Sequence, residues 1–146
     1  RQRQMCIRDR NNDQARNAML DYDAYYKAVN GQVNDLFYYY REQAALKARQ
    51  YQRALDDIVK AVELSPKDLT YRAEHAVVNL RVGRYEESMK ILNEILKDEP
   101  KYGEAYRLLG LCQIQLKKTD EACGNFNKAK ELGDPNVDEL IKKYCK

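Results

Sequence analysis

Residues recur every 34 positions along most of this chain, and that spacing restricts its fold more than any other feature. Pro66 and Pro100 lie 34 apart, and Asp134, beside Pro135, stands 34 further on. Tyr51, Tyr85 and Thr119 share one phase, and Ala54, Ser88 and Ala122 share another. Ile58, Leu92 and Phe126 form a third column, and Ala61, Ile95 and Ala129 a fourth. A fixed period of this length marks a structural unit repeated in tandem, each copy packing on its neighbours.

The columns have a mechanical meaning. Ala54, Ile58 and Ala61 are spaced i, i+4, i+7, which is one face of an α-helix. Ser88, Leu92, Ile95 and then Ala122, Phe126, Ala129 repeat that face. A small residue at the first position lets two helices approach closely. Each such helix ends before a Pro or Asp-Pro stop, which a helix cannot carry through. Upstream in each unit lies another helical stretch, at 36–48, 70–82 and 104–116. The turns joining the two are short: "ARQY", "VGRY" and "LKKT". The pattern predicts an all-α chain of antiparallel helix pairs.

Helix pairs with this period resemble the tetratricopeptide repeat family. The last unit, "AYRLLGLCQIQLKKTDEACGNFNKAKELGDP", carries the motif best. Tyr106, Leu109 and Gly110 stand where the family has Trp, Leu and Gly, and Ala122, Phe126 and Ala129 match its Ala, Phe and Ala. The middle unit keeps the second helix but has Arg72 and His75 at large apolar positions. The first has Tyr38, Tyr51, Ala54, Ile58, Ala61 and Pro66, with Glu42 where Gly is usual. The resemblance covers residues 35–136 as repeats 35–68, 69–102 and 103–136. It implies an α-α superhelix, the tetratricopeptide solenoid. Ala18, Tyr22 and Tyr25 repeat the i, i+4, i+7 face, so residues 11–31 read as the second helix of an earlier repeat. Residues 136–146 read as a C-terminal capping helix, with Val137, Leu140, Ile141 and Tyr144 on one side. Such a cap keeps the last apolar face from water.

The first ten residues, "RQRQMCIRDR", have a different texture. They resemble the conceptual translation of a transposase sequencing adapter, whose codons CGG CAG CGT CAG ATG TGT ATA AGA GAC match residues 1–9 in order. The expectation is a non-native segment, disordered or forming an extra helix turn, ahead of an array truncated within a repeat. Charge supports setting it aside. The chain carries +3, and residues 1–10 hold four arginines and one aspartate. Taking 4 from 26 basic residues and 1 from 23 acidic ones leaves 22 of each. A phosphate-binding protein needs a concentrated basic surface, so no nucleic-acid partner is expected. No run of about 18 apolar residues suits a membrane span.

Catalytic chemistry finds no residue set. His75 is the only histidine and reads as structural. The glycines are scattered and form no phosphate-cradling loop. Asp56-Asp57 and Glu86-Glu87 sit near the starts of second helices, where negative charge suits the helix dipole, and read as solvated surface. With Cys6 set aside, Cys112, Cys123 and Cys145 remain, in no CxxC spacing, so neither metal nor cofactor is expected. Cys112 and Cys123 lie level on one helix pair. They form either a disulfide or two small buried apolar side chains. Of twelve tyrosines, Tyr22, Tyr25, Tyr38, Tyr51 and Tyr85 fall at packing columns, while Tyr26 and Tyr39 suit a surface. "FYYYR" hints at a binding surface, since tyrosine buries much area with few rotatable bonds.

The resemblance implies a concave groove lined by first helices that holds a peptide or a partner's helix. Carried over position by position, the groove residues are Tyr39, Gln43 and Lys47, then Ala73, Val77 and Arg81, then Glu104, Arg107, Leu111 and Gln115. Three cations against one carboxylate favour an acidic segment. Chaperone-binding members use a Lys/Asn/Arg clamp; Tyr39, Gln43, Glu74, Glu104 and Leu108 occupy its places, which argues against chaperone tails. The expected function is a non-enzymatic scaffold binding a protein or peptide. The alternative is a docking module of a larger protein whose upstream part carries catalysis or membrane anchoring. The general look resembles bacterial repeat proteins, and the residues choose neither cytoplasm nor envelope, nor an oligomeric state.

Overall fold

The computed structural model describes residues 2–146, with side chains from Asn11 onward; the adapter-like reading of residues 1–10 rests on side chains outside the described residues. Among the described residues there are eight α-helices and no strand. They are α1 (Gln2–Ala28), α2 (Asp35–Lys47), α3 (Tyr51–Leu64), α4 (Leu69–Arg81), α5 (Tyr85–Asp98), α6 (Gly103–Gln115), α7 (Thr119–Glu131) and α8 (Asp138–Tyr144). The helices α2, α4 and α6 begin at Asp35, Leu69 and Gly103, and α3, α5 and α7 at Tyr51, Tyr85 and Thr119. Both series keep the period of the sequence columns. The first helices begin one residue ahead of the positions read from the sequence. Two compact units divide the chain, Arg1–Tyr71 and Arg72–Lys146.

In the first unit α2 packs on α1 and on α3. Asn34 starts α2 because its side-chain oxygen accepts the Phe37 N–H at 3.0 Å, pairing a donor that the first turn leaves free. The helix ends where Arg49 turns left-handed, φ 59°, and the Gln50 N–H donates to the Ala45 carbonyl at 2.8 Å. The same closure follows α4 at Gly83, φ 87°, and α6 at Lys117, φ 61°. Arg84 there donates to the Asn79 carbonyl and Lys118 to the Gln113 carbonyl, each at 2.8 Å. These bonds satisfy carbonyls that a helix end exposes. Glycine takes this backbone most easily, yet two of the three positions carry long cations. The helix pair imposes the turn, and the residue accommodates it.

The second-helix columns form the core. Ala54, Ile58 and Ala61 of α3, Ser88, Leu92 and Ile95 of α5, and Ala122, Phe126 and Ala129 of α7 are all fully buried. In the second unit α5 packs on α6, α6 on α7 and α7 on α8. Ser88 is the polar member of these columns, and its hydroxyl donates to the Ala76 carbonyl of α4 at 2.7 Å. A buried hydroxyl without that bond would cost about 1–3 kcal/mol. Arg72, at a position where the family is apolar, pairs with Asp98 at 2.9 Å. Its charge is thus met at the end of the second helix of its own repeat.

α8 lies on α7, and Val137, Leu140, Ile141 and Tyr144 join Phe126 in one apolar cluster. Cys145, just past α8, forms a disulfide with Cys123 of α7, their Cα atoms 5.7 Å apart. The Cys112–Cys123 pairing weighed from the sequence is therefore corrected. Cys112 is a buried free thiol beside Ser88, and burial raises its pKa. It faces α5 while Cys123 faces the chain end, so being level on two helices did not bring them together. A cross-link spanning 22 residues removes freedom from the unfolded chain worth roughly 3 kcal/mol.

Candidate functional site

Tyr39, Gln43 and Lys47 succeed one another four residues apart, so they share one face of α2. Gln43 and Lys47 line a cleft of about 660 Å³ between α1 and α2. Tyr40 and Ala44 complete its α2 wall, and Asn11, Asn12, Gln14, Ala15, Ala18 and Tyr22 form the α1 wall. Tyr39 lies outside this lining, its ring 5.2 Å from Tyr71 and 5.6 Å from Tyr40. Tyr71 is buried, and burial together with the nearby Asp35 carboxylate pushes its hydroxyl up to about 12. Asp35 accepts a hydrogen bond from Ser65 at 2.7 Å, which holds its carboxyl below the usual value.

The aromatic run behaves in two ways. Phe37 packs edge-on against Tyr22 and Tyr38 at 5.6 and 5.8 Å, and Tyr38 is buried. Tyr40 is 51% exposed. Tyr25, expected in the core from its column, is 56% exposed, and Tyr26, expected at the surface, is half-buried. Tyr25 and Tyr26 both reach Phe37, with ring centroids 5.9 and 6.0 Å away, and the Arg41 guanidinium covers Tyr26 as well.

Beneath these rings lies an ion network, and one of its members, Asp57, was expected in solvent from the sequence. Arg41 donates twice to Asp57, at 2.9 and 2.8 Å, and once to Asp23 at 3.4 Å. Arg53 also pairs with Asp23. The Arg41 guanidinium stacks over Tyr26 and Phe37, 5.2 and 5.1 Å from the ring centres. Asp57 is buried; burial pushes its carboxyl up, and the Arg41 hydrogen bonds pull it back down. Asp56, its neighbour, is exposed and hydrogen-bonded to Gln52. The reading of Asp56-Asp57 as solvated therefore holds for Asp56 only.

In the second unit the groove positions divide. Arg81 and Gln115 are exposed, and Val77 and Leu111 are half-buried. Ala73 is 3% exposed and offers a ligand no surface, so it is removed from the expected lining. Glu104 accepts from the Tyr102 hydroxyl at 2.8 Å and pairs with Arg107 at 3.6 Å. Arg107 is committed further: its Nε lies 3.0 Å from Asp134, whose side chain is almost wholly buried. The three-cation count thus reduces to Lys47 and Arg81, both exposed.

His75, on α4, is half-buried, and burial lowers its pKa from 6.5 while Glu87 pulls weakly the other way. The folded chain therefore prefers neutral imidazole. Above pH 6.5 this preference costs nothing; as pH falls below 6.5 the unfolded chain gains the proton first and stability is lost. Thermal melts are expected to show a lower Tm at pH 5.5 than at pH 7.5, with that difference reduced in His75→Gln. An equal difference in the variant would locate the pH dependence elsewhere. Among the described residues, no cluster of three or more His, Cys, Asp or Glu is placed to hold a metal, and no helix is long and apolar enough to cross a membrane.

Two family profiles match this chain. One, described as anaphase-promoting complex, cyclosome, subunit 3, covers residues 11–95, and one described as tetratricopeptide repeat covers residues 74–137. The small glutamine-rich tetratricopeptide repeat-containing protein 2 of Mycosarcoma maydis is 29% identical over 99 residues, 68% of this chain and 28% of that protein. Heat shock protein STI1 of Saccharomyces cerevisiae is 31% identical over 101 residues, 66% of this chain and 17% of its own length. The chain thus spans less than a third of either relative. Among solved structures, YrrB, a TPR protein with an unusual peptide-binding site, superposes with a TM-score of 0.72 at 21% identity, covering 84% of this chain and 64% of YrrB. The first TPR of Spaghetti (RPAP3), bound to the HSP90 peptide SRMEEVD, gives 0.66 at 19% identity, covering 76% of this chain and 90% of that one. These likenesses establish the fold: all-α, of the tetratricopeptide superhelix type.

Proposed function

Since this chain belongs to the tetratricopeptide repeat family, we propose that it is a non-catalytic interaction module holding a peptide or a partner's helix against its first helices. One observation carries the reading: α2, α4 and α6 start at the same phase of successive repeats, so the same face recurs as a series of equivalent contact positions. The contact positions are Tyr39, Gln43 and Lys47 of α2, Val77 and Arg81 of α4, and Glu104, Leu111 and Gln115 of α6. Arg107 serves by fixing Glu104 and Asp134 rather than by meeting a ligand. Lys47 and Arg81 favour a segment with carboxylates. Relatives with this fold include one bound to a peptide ending EEVD, which supports peptide binding as a class. Glu74 and Glu104 put carboxylates where a clamp for such tails needs donors without negative charge, so the preferred segment differs from that one.

The test is selection from a displayed library of random peptides with free C-termini. Enriched peptides are expected to be rich in Asp and Glu, to bind at roughly micromolar Kd, and to weaken about tenfold with Arg81→Glu or Lys47→Glu. SRMEEVD should bind no better than its scrambled sequence. No enrichment over the starting library would remove the reading. A second reading is a docking module within a longer protein whose other parts carry catalysis or membrane anchoring. It is favoured by the small share of each relative, 28% and 17%, that the match occupies.

A further inference from the structure

We propose that the Cys123–Cys145 disulfide is a reversible clasp: reduction by a dithiol releases α8 from α7 and uncovers the apolar face around Phe126. This device goes beyond the interaction-module reading and stands whether or not a peptide binds the first helices.

Apart from the cross-link, α8 is held weakly. Its seven residues are each half-buried or exposed, and a helix so short is marginal in water by itself. Val137 stands at its N-cap and offers the first turn no side-chain acceptor. The Lys130–Asp138 ion pair at its start is 3.5 Å long and mostly exposed, and such a pair adds little. The other fastenings are the buried Val137 and the partial contacts of Leu140, Ile141 and Tyr144. The disulfide pins the opposite end, just past Tyr144. The face beneath is apolar. Tyr144 stacks on the fully buried Phe126, ring centres 6.4 Å apart, and Leu111 and Ile114 of α6 pack on the same cluster. With the clasp open, the last turn of α8 is the part with least to hold it, and Phe126 loses its Tyr144 cover when that turn leaves.

The surroundings of the two sulfurs suit exchange and give it a direction. Cys123 and Cys145 are each half-buried, within reach of a reagent, and accessible disulfides are the labile ones. Lys142 and Lys143 in the last turn of α8, and Lys146 next to Cys145, are exposed cations that favour a thiolate at Cys145. Asp120 stands one turn before Cys123 on α7 and disfavours a thiolate there. The dithiol's thiolate therefore attacks the Cys123 sulfur. The S–S bond breaks and its electron pair leaves with Cys145. The reagent's second thiol then attacks the mixed disulfide, and Cys123 departs as a thiolate. Two electrons pass from the dithiol, which ends as a disulfide. The two protons it gives up reach the two cysteines through water. Cys112 stays out of the exchange: it is fully buried on α6, and burial holds it as the thiol.

The test is hydrogen–deuterium exchange on the whole chain, oxidised with glutathione disulfide and then treated with dithiothreitol, with the linkage located by peptide mass mapping under non-reducing conditions. The oxidised chain should yield the Cys123 and Cys145 peptides joined. On reduction the amides of α8 and Cys145 should exchange about tenfold faster or more, while those of α6 and α7 change by less than about twofold. Anilinonaphthalene sulfonate, a dye that brightens on exposed apolar surface, should fluoresce more strongly with the reduced chain. Reoxidation should restore both readings. Cys145→Ser should show the fast exchange with or without dithiothreitol. Exchange in α8 unchanged by reduction overturns the proposal in favour of a cap that stays docked on its apolar contacts. Loss of protection throughout α6, α7 and α8, by reduction or in Cys145→Ser, overturns it in favour of a cross-link that holds the whole unit together. Failure of the Cys123–Cys145 linkage to form under oxidation, or pairing through Cys112 instead, overturns it as well.

Discussion

Gly110→Ala is expected to lower the unfolding free energy by about 2 kcal/mol through overpacking, although alanine is the better helix former. The opposing effects can be weighed. Within a helix the change gains up to ~1 kcal/mol from backbone entropy. Against this, a Cβ on Gly110 would stand 2.3 Å from one carbon of the Phe126 ring and 2.6 Å from another. That ring is fully buried, stacked on Tyr144 at 6.4 Å and enclosed by Ala122, Ala129 and Val137. It has nowhere to retreat, and inserting a methyl into a filled core costs about 1–3 kcal/mol, sometimes more. Overpacking wins. The Tm should drop by roughly 4–8 °C. Gly124→Ala provides the control within the neighbouring helix. Its Cβ would meet nothing within 4 Å, so the entropic gain acts alone and stability rises by up to ~1 kcal/mol. In the double variant Gly110→Ala with Phe126→Leu, the loss should be smaller than the two single losses added together. Should Gly110→Ala and Gly124→Ala move Tm in the same direction, the close approach would not be what holds Gly110 in place.

Gly110 also shows why the fold is legible in the sequence. A column that returns at a fixed period encodes the helix pairs directly, because burial of one helix face depends only on local spacing and its neighbour. The first helices start one residue from where the pattern puts them. What the period does not encode is pairing between residues that depart from it. Asp57 stands in a polar run, and its partner Arg41 follows a string of tyrosines, so nothing local links them. The link exists because α2 and α3 fold back on each other and bring residues 16 apart into contact. Cys123 likewise reaches Cys145 because α8 docks through Val137, Leu140 and Ile141. Spacing along the chain points instead to Cys112. For the candidate site the limit is the same. Carrying groove positions across repeats locates Gln43, Lys47 and Arg81 at the surface or on the wall of the cleft. It misjudges Ala73, whose methyl is covered, and Arg107, whose charge is taken by Asp134.

Removing Arg41 should be the most damaging single change in the first unit. Arg41→Met keeps an apolar side chain of similar length but takes the guanidinium from above Tyr26 and Phe37 and leaves the Asp57 carboxylate buried without its two hydrogen bonds from Arg41. The two side chains are 13% and 5% exposed, so water cannot replace the guanidinium. Breaking one side of a buried pair costs on the order of 3–5 kcal/mol. Arg41→Lys recovers only part of this, since an ammonium cannot make the two-pronged contact. Replacing both partners, Arg41→Met with Asp57→Leu, should restore most of the lost stability, because the cost lies in the stranded charge rather than in the absent attraction. The pH dependence gives an independent check. Burial already raises the Asp57 carboxyl, and without Arg41 nothing comparable pulls it down. A carboxyl raised in the folded state favours folding below its unfolded value and loses that advantage as pH climbs through the folded value. The deficit of Arg41→Met relative to the parent chain should therefore be largest near neutral pH and shrink on acidification, as Asp57 takes up a proton. A deficit that stays constant between pH 7.5 and pH 4.5, together with no recovery in the double variant, would mean that Arg41 acts through its packing against the rings and not through Asp57.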